Sequence, residues 1–300
     1  MYKNIIPGLV SFDTVPKRIH GFEMCQNLDF FKGTVKKNKF HYKLILGNTP
    51  LASENYDFRS EYFVKKDNKW YYDRKIFFWR PAFCYDFKNR IFYCNKAYFS
   101  LPLKIGGVFT LGEHISNIIN LELFLDGYVI LRGIAVRINN QNIGISAPGL
   151  NGKTTLLKKL LEKGAKYIAE DYLILNLKDK KIYPSCPLLK ENFWRRRRID
   201  STLSELLKKN PIIENPVSID NLYLVQNSQN PNYHSDKKQL VDCLLLNSLY
   251  FLDDLFIKSY IYDMGTTSRL LDRVNDFKNI SIKHKFVQIH DFNFNFLSKG

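Results

Sequence analysis

The five cysteines (Cys25, Cys84, Cys94, Cys186 and Cys243) are odd in number and form no C-x-x-C pair. A disulfide framework and a cysteine zinc site are therefore not expected, and the thiols read as ordinary reduced residues. The six histidines (His20, His41, His114, His234, His284 and His290) show no H-x-x-x-H spacing and read as structural. No G-x-S-x-G element is present, which argues against a serine hydrolase of that type. No apolar run approaches the roughly 18 to 20 residues of a spanning helix, and "MYKNIIPGLVSFDTVPKRIHGF" lacks the layout of a signal peptide. The expectation is a cytoplasmic chain without a membrane span. Internal repeats and low-complexity linkers are also missing.

Acidic residues are in the minority, with 29 Asp and Glu against 45 Lys and Arg, for a formal charge of +16. That excess raises nucleic acid, an anionic surface or an acidic peptide as partners. Much of it is diffuse lysine in a chain rich in Lys, Asn, Ile, Phe and Tyr, and charge alone decides nothing. Three hundred residues suffice for a substantial core.

From Phe40 to about Phe99 the chain is dense in aromatic and β-branched residues, broken by "GNTP", "KKDNK" and "DFKNR". This predicts an antiparallel β region, with "KWYYDRKIFFW" and "RIFYCNKAYF" as partly alternating strands whose aromatics form core. "GEHISNIINLELFLDG" has helical spacing. "YVILRGIAVRINNQNIGIS" predicts two strands joined by the tight turn "NNQN". "LNLKDKKIYP" reads as a hairpin, "PLLKENFWRRRRIDSTLSELLKKNP" as a basic helical region, "NLYLVQ" as a strand, "KKQLVDCLLLNSLYFLDDLF" as helical and "NISIKHKFVQIHDFNF" as a closing strand. The expected division is a β-rich region over 1–105 and a nucleotide-binding domain over 106–300.

The chemistry concentrates in "GISAPGLNGKTTLLKKLLEKGAKYIAEDYLIL". In G-x-x-x-x-G-K-[ST], glycines let backbone N–H groups converge on phosphate, lysine neutralises charge and the hydroxyl helps hold Mg²⁺. Here "APGLNGKT" supplies Gly152, Lys153 and Thr154, with Ala147 in place of the first glycine; alanine supports the same loop while its φ stays negative. The strand "QNIGIS" before the loop and the helix "TTLLKKLLEK" after it, with Gly164 as a natural C′ residue, are the order the motif requires. "KYIA" then delivers Glu170 and Asp171 at a strand end. Two carboxylates beside a triphosphate can divide two jobs, one linked to Mg²⁺ and one accepting the proton of an attacking hydroxyl.

These residues resemble the HPr kinase/phosphorylase-like proteins, related by fold to ATP-dependent phosphoenolpyruvate carboxykinase. More closely they resemble the small HPr-kinase-like serine kinases associated with modified-peptide biosynthesis. Those proteins carry a strand-turn-strand of type "LHA-x-AV", a P-loop, a helix ending in "RG" and a strand ending in a double acid. This chain has "LRGIAVRINNQNIGISAPGLNGKT", "EKGAKYIAEDYLIL" and "KKIYPSCPLLK", and the resemblance is specific from about Leu131 to Pro187. It implies an α/β fold with a P-loop-containing mixed sheet behind a β-rich N-terminal region. It also implies an ATP- and Mg²⁺-dependent kinase acting on a serine of a peptide or small protein. Nucleotide contacts would come from Gly149, Leu150, Asn151, Gly152, Lys153, Thr154, Thr155 and Arg132. Lys153 would act on phosphate, Glu170 as general base, and Thr154 and Asp171 toward the metal; the division between the two neighbouring acids stays open. Arg132 stands where relatives have histidine, Leu150 where glycine is common, and Glu170 where aspartate is usual.

Arg195 to Arg198 form the strongest local charge feature outside the loop. The run could close over a phosphate, attract an acidic peptide or touch nucleic acid, or be a solvated helix face; no nucleic-acid module accompanies it. Two other readings stand beside the kinase: a regulatory or scaffold protein that binds nucleotide without turnover, and a basic nucleic-acid-binding NTPase. Phosphoenolpyruvate carboxykinase activity itself is not expected of so short a chain. The sequence leaves the acceptor, the oligomeric state and the choice of ATP or pyrophosphate as donor undetermined.

Overall fold

The computed structural model describes residues 2–13, 19, 22, 24, 30–31, 38–50, 55–59, 63–73, 80–100, 110–147, 152–187, 190–192, 195–198, 201–226, 240–242, 244–245, 264–277, 282 and 284–288. The chain is mixed α/β and divides into two compact units, Met1–Glu122 with Leu252–Arg269, and Leu123–Phe251 with Leu270–Gly300.

The first unit is built on an eight-stranded sheet of β1 (Tyr2–Ile6), β2 (Val10–Asp13), β3 (Phe40–Leu46), β4 (Phe58–Arg59), β5 (Phe63–Lys66), β6 (Lys69–Asp73), β7 (Ala82–Asp86) and β8 (Ile91–Cys94). Its order is β1-β2-β3-β8-β7-β6-β5-β4. The aromatic stretch does form strands, and β4 to β8 pair antiparallel as expected. β3, however, runs parallel to both β2 and β8, because side-chain alternation specifies a face and not a partner's direction. "NKAYF", expected as the end of a strand, instead opens the short helix α1 (Lys96–Ser100), where the Asn95 side-chain oxygen accepts from the Tyr98 N–H at 2.9 Å.

Helix α2 (Leu111–Leu125) matches its helical periodicity. A capping box opens it. The Thr110 N–H donates to Glu113 at 2.6 Å and the Glu113 N–H to the Thr110 hydroxyl at 3.3 Å, so each residue satisfies a donor the helix leaves open. Its His114 is fully buried among Phe63, Tyr72, Phe83 and Tyr98, with the imidazole stacked on Phe83 at 5.3 Å. Burial pushes this imidazole down to about 3, so it is a neutral ring within the aromatic core. At Glu122, the carboxylate accepts from Tyr42, Tyr85 and the Arg90 guanidinium.

The second unit contains a seven-stranded mixed sheet of β9 (Tyr128–Ile138), β10 (Gln141–Ser146), β11 (Lys166–Asn176), β12 (Lys181–Tyr183), β15 (Val217–Ser218), β16 (Asn221–Gln226) and β17 (His284–Gln288). Its order is β15-β12-β11-β9-β10-β16-β17. The two central strands β9 and β11 are apolar and buried almost throughout, the signature of strands covered on both faces. β9 and β10 are joined by a two-residue turn at Asn139 and Asn140, with φ of 50° and 62°; asparagine tolerates the left-handed region that this hairpin turn requires.

Helix α3 (Lys153–Glu162) buries Leu156, Leu157, Leu160 and Leu161, each contributing about 1.5–3 kcal/mol of burial, and packs against β9, β11 and helix α4 (Ser201–Lys209). It ends as expected: Gly164, at φ 83°, donates to the Leu161 carbonyl and the Ala165 N–H reaches back to Leu160, which closes a Schellman motif. The arginine run departs from its expected helix. Arg195–Arg198 is strand β14, paired antiparallel with β13 (Lys190–Asn192), and the helix begins only at Ser201. Four consecutive arginines carry no apolar periodicity, so nothing local distinguishes strand from helix there. Helix α5 (Met264–Phe277) precedes β17. The expected helix over 237–256 falls mostly outside the described residues, with short helical pieces at 240–242 and 244–245.

Candidate functional site

Sheet register assembles the site inside the second unit. β9 lies between β10 and β11, and Gly133 of β9 pairs with Ser146 on one side and Asp171 on the other. One row across three strands therefore places the start of the phosphate-loop sequence beside the acidic pair, although 25 residues separate them in the chain. Gly133 is needed in this row because a Cβ there would lie 2.5 Å from the Ile145 carbonyl oxygen. The Arg132 carbonyl accepts from the Ala147 N–H at 3.0 Å and from the Ser146 hydroxyl at 3.1 Å, which fixes where the chain leaves β10.

Ala147 keeps a negative φ, so the condition under which alanine can replace the motif's first glycine is met. The nucleotide-contact candidates Gly149, Leu150 and Asn151 lie outside the described residues. Beyond them Gly152 takes the left-handed conformation, φ 70° and ψ 16°, and caps α3. Lys153 folds back so that its ammonium donates to the Ala147 carbonyl at 3.2 Å, joining the two ends of the loop. Thr155 is exposed on the first turn.

The Thr154 hydroxyl donates to Glu170 Oε1 at 2.8 Å. Glu170 is buried, at 3% exposure, while the Asp171 side chain is 13% exposed and faces Arg132, whose Nε lies 3.6 Å from Asp171 Oδ1. Burial lowers the proton affinity of Lys153; Asp171 opposes that effect, the Arg132 charge adds to it, and Glu170 opposes it again. Lys153, Arg132, Glu170, Asp171 and Thr154 thus form one polar group at the N-terminus of α3, where the helix dipole favours an anion.

The acidic pair does not sit at a strand end, as its sequence context suggests. β11 continues through it to Asn176, with Asp171 still paired to Gly133 although its φ is 64°. A positive φ is uncommon outside glycine, although aspartate tolerates it better than most residues, and such positions cluster at functional sites. The sequence gives no signal for this torsion, since "KYIAEDYLIL" reads as one apolar strand broken by two acids.

Ser185 is also absent from the sequence-based candidates. It is fully buried; its N–H donates to Ile168 at 3.2 Å, its carbonyl accepts from the Tyr167 hydroxyl at 2.9 Å, and its hydroxyl approaches the Glu170 carbonyl at 3.5 Å. It supports β11 just before the acids. The Arg195–Arg198 strand is described in its backbone only. Among the described residues, no group of three or more His, Cys, Asp or Glu could hold a metal ion, and no helix is long and apolar enough to cross a membrane.

No protein-family model matches the chain, and no curated protein matches it. Among solved structures, it is similar to the HPr(Ser) kinase/phosphatase from Coxiella burnetii at 14% identity and a TM-score of 0.27. That match covers 36% of this chain and 65% of the other, so less than two thirds of the other protein's length is spanned.

Proposed function

We propose that the second unit binds the phosphates of ATP at the turn between β10 and α3 and transfers the γ-phosphoryl group to a hydroxyl, in a serine of a peptide or small protein. The observation that carries this reading is the 2.8 Å bond between the Thr154 hydroxyl and the buried Glu170 carboxylate, beside Lys153 at a helix N-terminus. A hydroxyl and carboxylates are hard oxygen donors and fit Mg²⁺, with Thr154 and the acidic pair as the residues that would hold it. When bound, Mg²⁺ neutralises charge on the phosphates.

The chain's own residues supply the rest. Backbone N–H groups at the start of α3 orient the phosphates, and Lys153 exchanges its bond to the Ala147 carbonyl for a phosphate oxygen. Arg132 offers a guanidinium to the same anion. One carboxylate of the acidic pair accepts the acceptor's proton as the new O–P bond forms and the bond to ADP breaks.

The acceptor's identity is proposed from the family resemblance of 131–187. The Arg132–Asp171 ion pair favours a second reading, in which the acid is held away from chemistry and the chain is a nucleotide-dependent regulator. Thermal unfolding with and without MgATP tests the shared premise. Wild type should be stabilised and Lys153→Ala should not; equal shifts in both would remove the nucleotide site from this turn.

A further inference from the structure

We infer that the two acids divide their work in the order opposite to the one the resemblance implies: Glu170 positions the divalent cation through Thr154, and Asp171 is the base that takes the acceptor's proton. The inference rests on the phosphoryl-transfer reading above and concerns only how that site is organised.

Three observations carry it. Glu170 Oε1 already accepts the Thr154 hydroxyl at 2.8 Å, and the residue is 3% exposed. A hydroxyl that donates its proton to a carboxylate turns its lone pairs outward, so the Thr154–Glu170 pair presents oriented oxygen donors for a hard cation. Partners that orient a ligand in this way change metal affinity by about 10- to 100-fold. A base has to meet a hydroxyl entering from solvent, and of the two acids Glu170 is the more buried, with Oε1 already bonded to Thr154.

Asp171 has the complementary properties. Its side chain is partly exposed, and it acts on the Lys153 ammonium together with Glu170 while its backbone stands at φ 64°. Arg132, whose Nε lies 3.6 Å from Asp171 Oδ1, orients the carboxylate without a tight bidentate pair. In the transfer, the acceptor's O–H proton passes to an Asp171 oxygen, the acceptor oxygen bonds the γ-phosphorus, and the bond to ADP breaks with its electron pair leaving on ADP. The lengthened Glu170 side chain then has a reason: it reaches back to Thr154 from β11.

Binding of a fluorescent ADP analogue, with Mg²⁺ and with EDTA, separates the roles without requiring turnover. Wild type should gain affinity from Mg²⁺. Glu170→Gln should shrink that gain by about tenfold, while Asp171→Asn should leave it within about twofold and lose transfer of labelled γ-phosphate. Thr154→Val should behave as Glu170→Gln, and Thr154→Ser should restore the gain; this pair decides the matter if Glu170→Gln fails to fold.

A gain lost in Asp171→Asn and kept in Glu170→Gln would overturn the division, as would equal losses in both or a wild-type affinity indifferent to Mg²⁺. No binding by wild type under either condition would overturn the nucleotide reading itself.

Discussion

Gly133→Ala tests whether the sheet register described above builds the site. The added Cβ would stand 2.5 Å from the Ile145 carbonyl oxygen and 3.2 Å from its carbon, well inside the approach real side chains tolerate. The obstacle is backbone of β10, hydrogen-bonded to β9 on one side and β16 on the other, so it cannot move aside as a side chain would. The cost belongs at the upper end of the range for overpacked cores, about 3 kcal/mol. For a unit of this size that corresponds to a fall of about 6–12 °C in the unfolding midpoint.

Gly144→Ala is the internal control. Its Cβ would meet only the ends of the Leu173, Leu222 and Ile219 side chains at 3.2–3.4 Å, which can rotate, and about 1 kcal/mol is expected. Paired urea titrations followed by circular dichroism give both numbers. Because Gly133 also pairs with Ser146 and Asp171, Gly133→Ala should weaken nucleotide binding at temperatures where the chain is still folded. A Gly133→Ala protein as stable as wild type, or one less affected than Gly144→Ala, would refute the close approach of β9 and β10 at this row.

Two further predictions concern the first unit. Thr110→Ala removes one half of the α2 capping box and should lower stability by about 1 kcal/mol in urea titration, with Thr110→Ser nearly neutral. The burial of His114 gives a pH dependence with a definite sign. Its folded-state value of about 3 lies below the ordinary 6.5, so the unfolded chain binds the proton first; stability is complete above about 6.5 and is lost as pH falls toward 3. The slope is at most about 1.4 kcal/mol per pH unit. His114→Phe should flatten stability measured between pH 6.5 and 4, and an unchanged slope would place the titrating group elsewhere.

The parts of the site legible in the sequence are those governed by short-range chemistry. The Asn139-Asn140 turn, the leucine face of α3 and the Gly164 stop each follow from residues within one or two turns of each other, and each stands in the structure as expected. The pairing order is different in kind. That β9 separates β10 from β11, and that β3 runs parallel to its neighbours, depends on contacts between distant segments that no local pattern encodes. The strand at Arg195–Arg198 was hidden because a run of one charged residue has no period. The positive φ at Asp171 was hidden because a backbone torsion within a paired strand leaves no trace in residue type. The acids themselves were visible; their unequal burial was not.

The most direct test of the central claim is Mg²⁺-dependent transfer of labelled γ-phosphate from ATP into proteins and peptides of the source cell's extract, comparing wild type with Lys153→Ala. The account predicts a labelled acceptor with wild type that disappears with Lys153→Ala, the variant remaining folded. Equal labelling by the two proteins, or ATP binding by wild type with no label transferred to any acceptor, would contradict it.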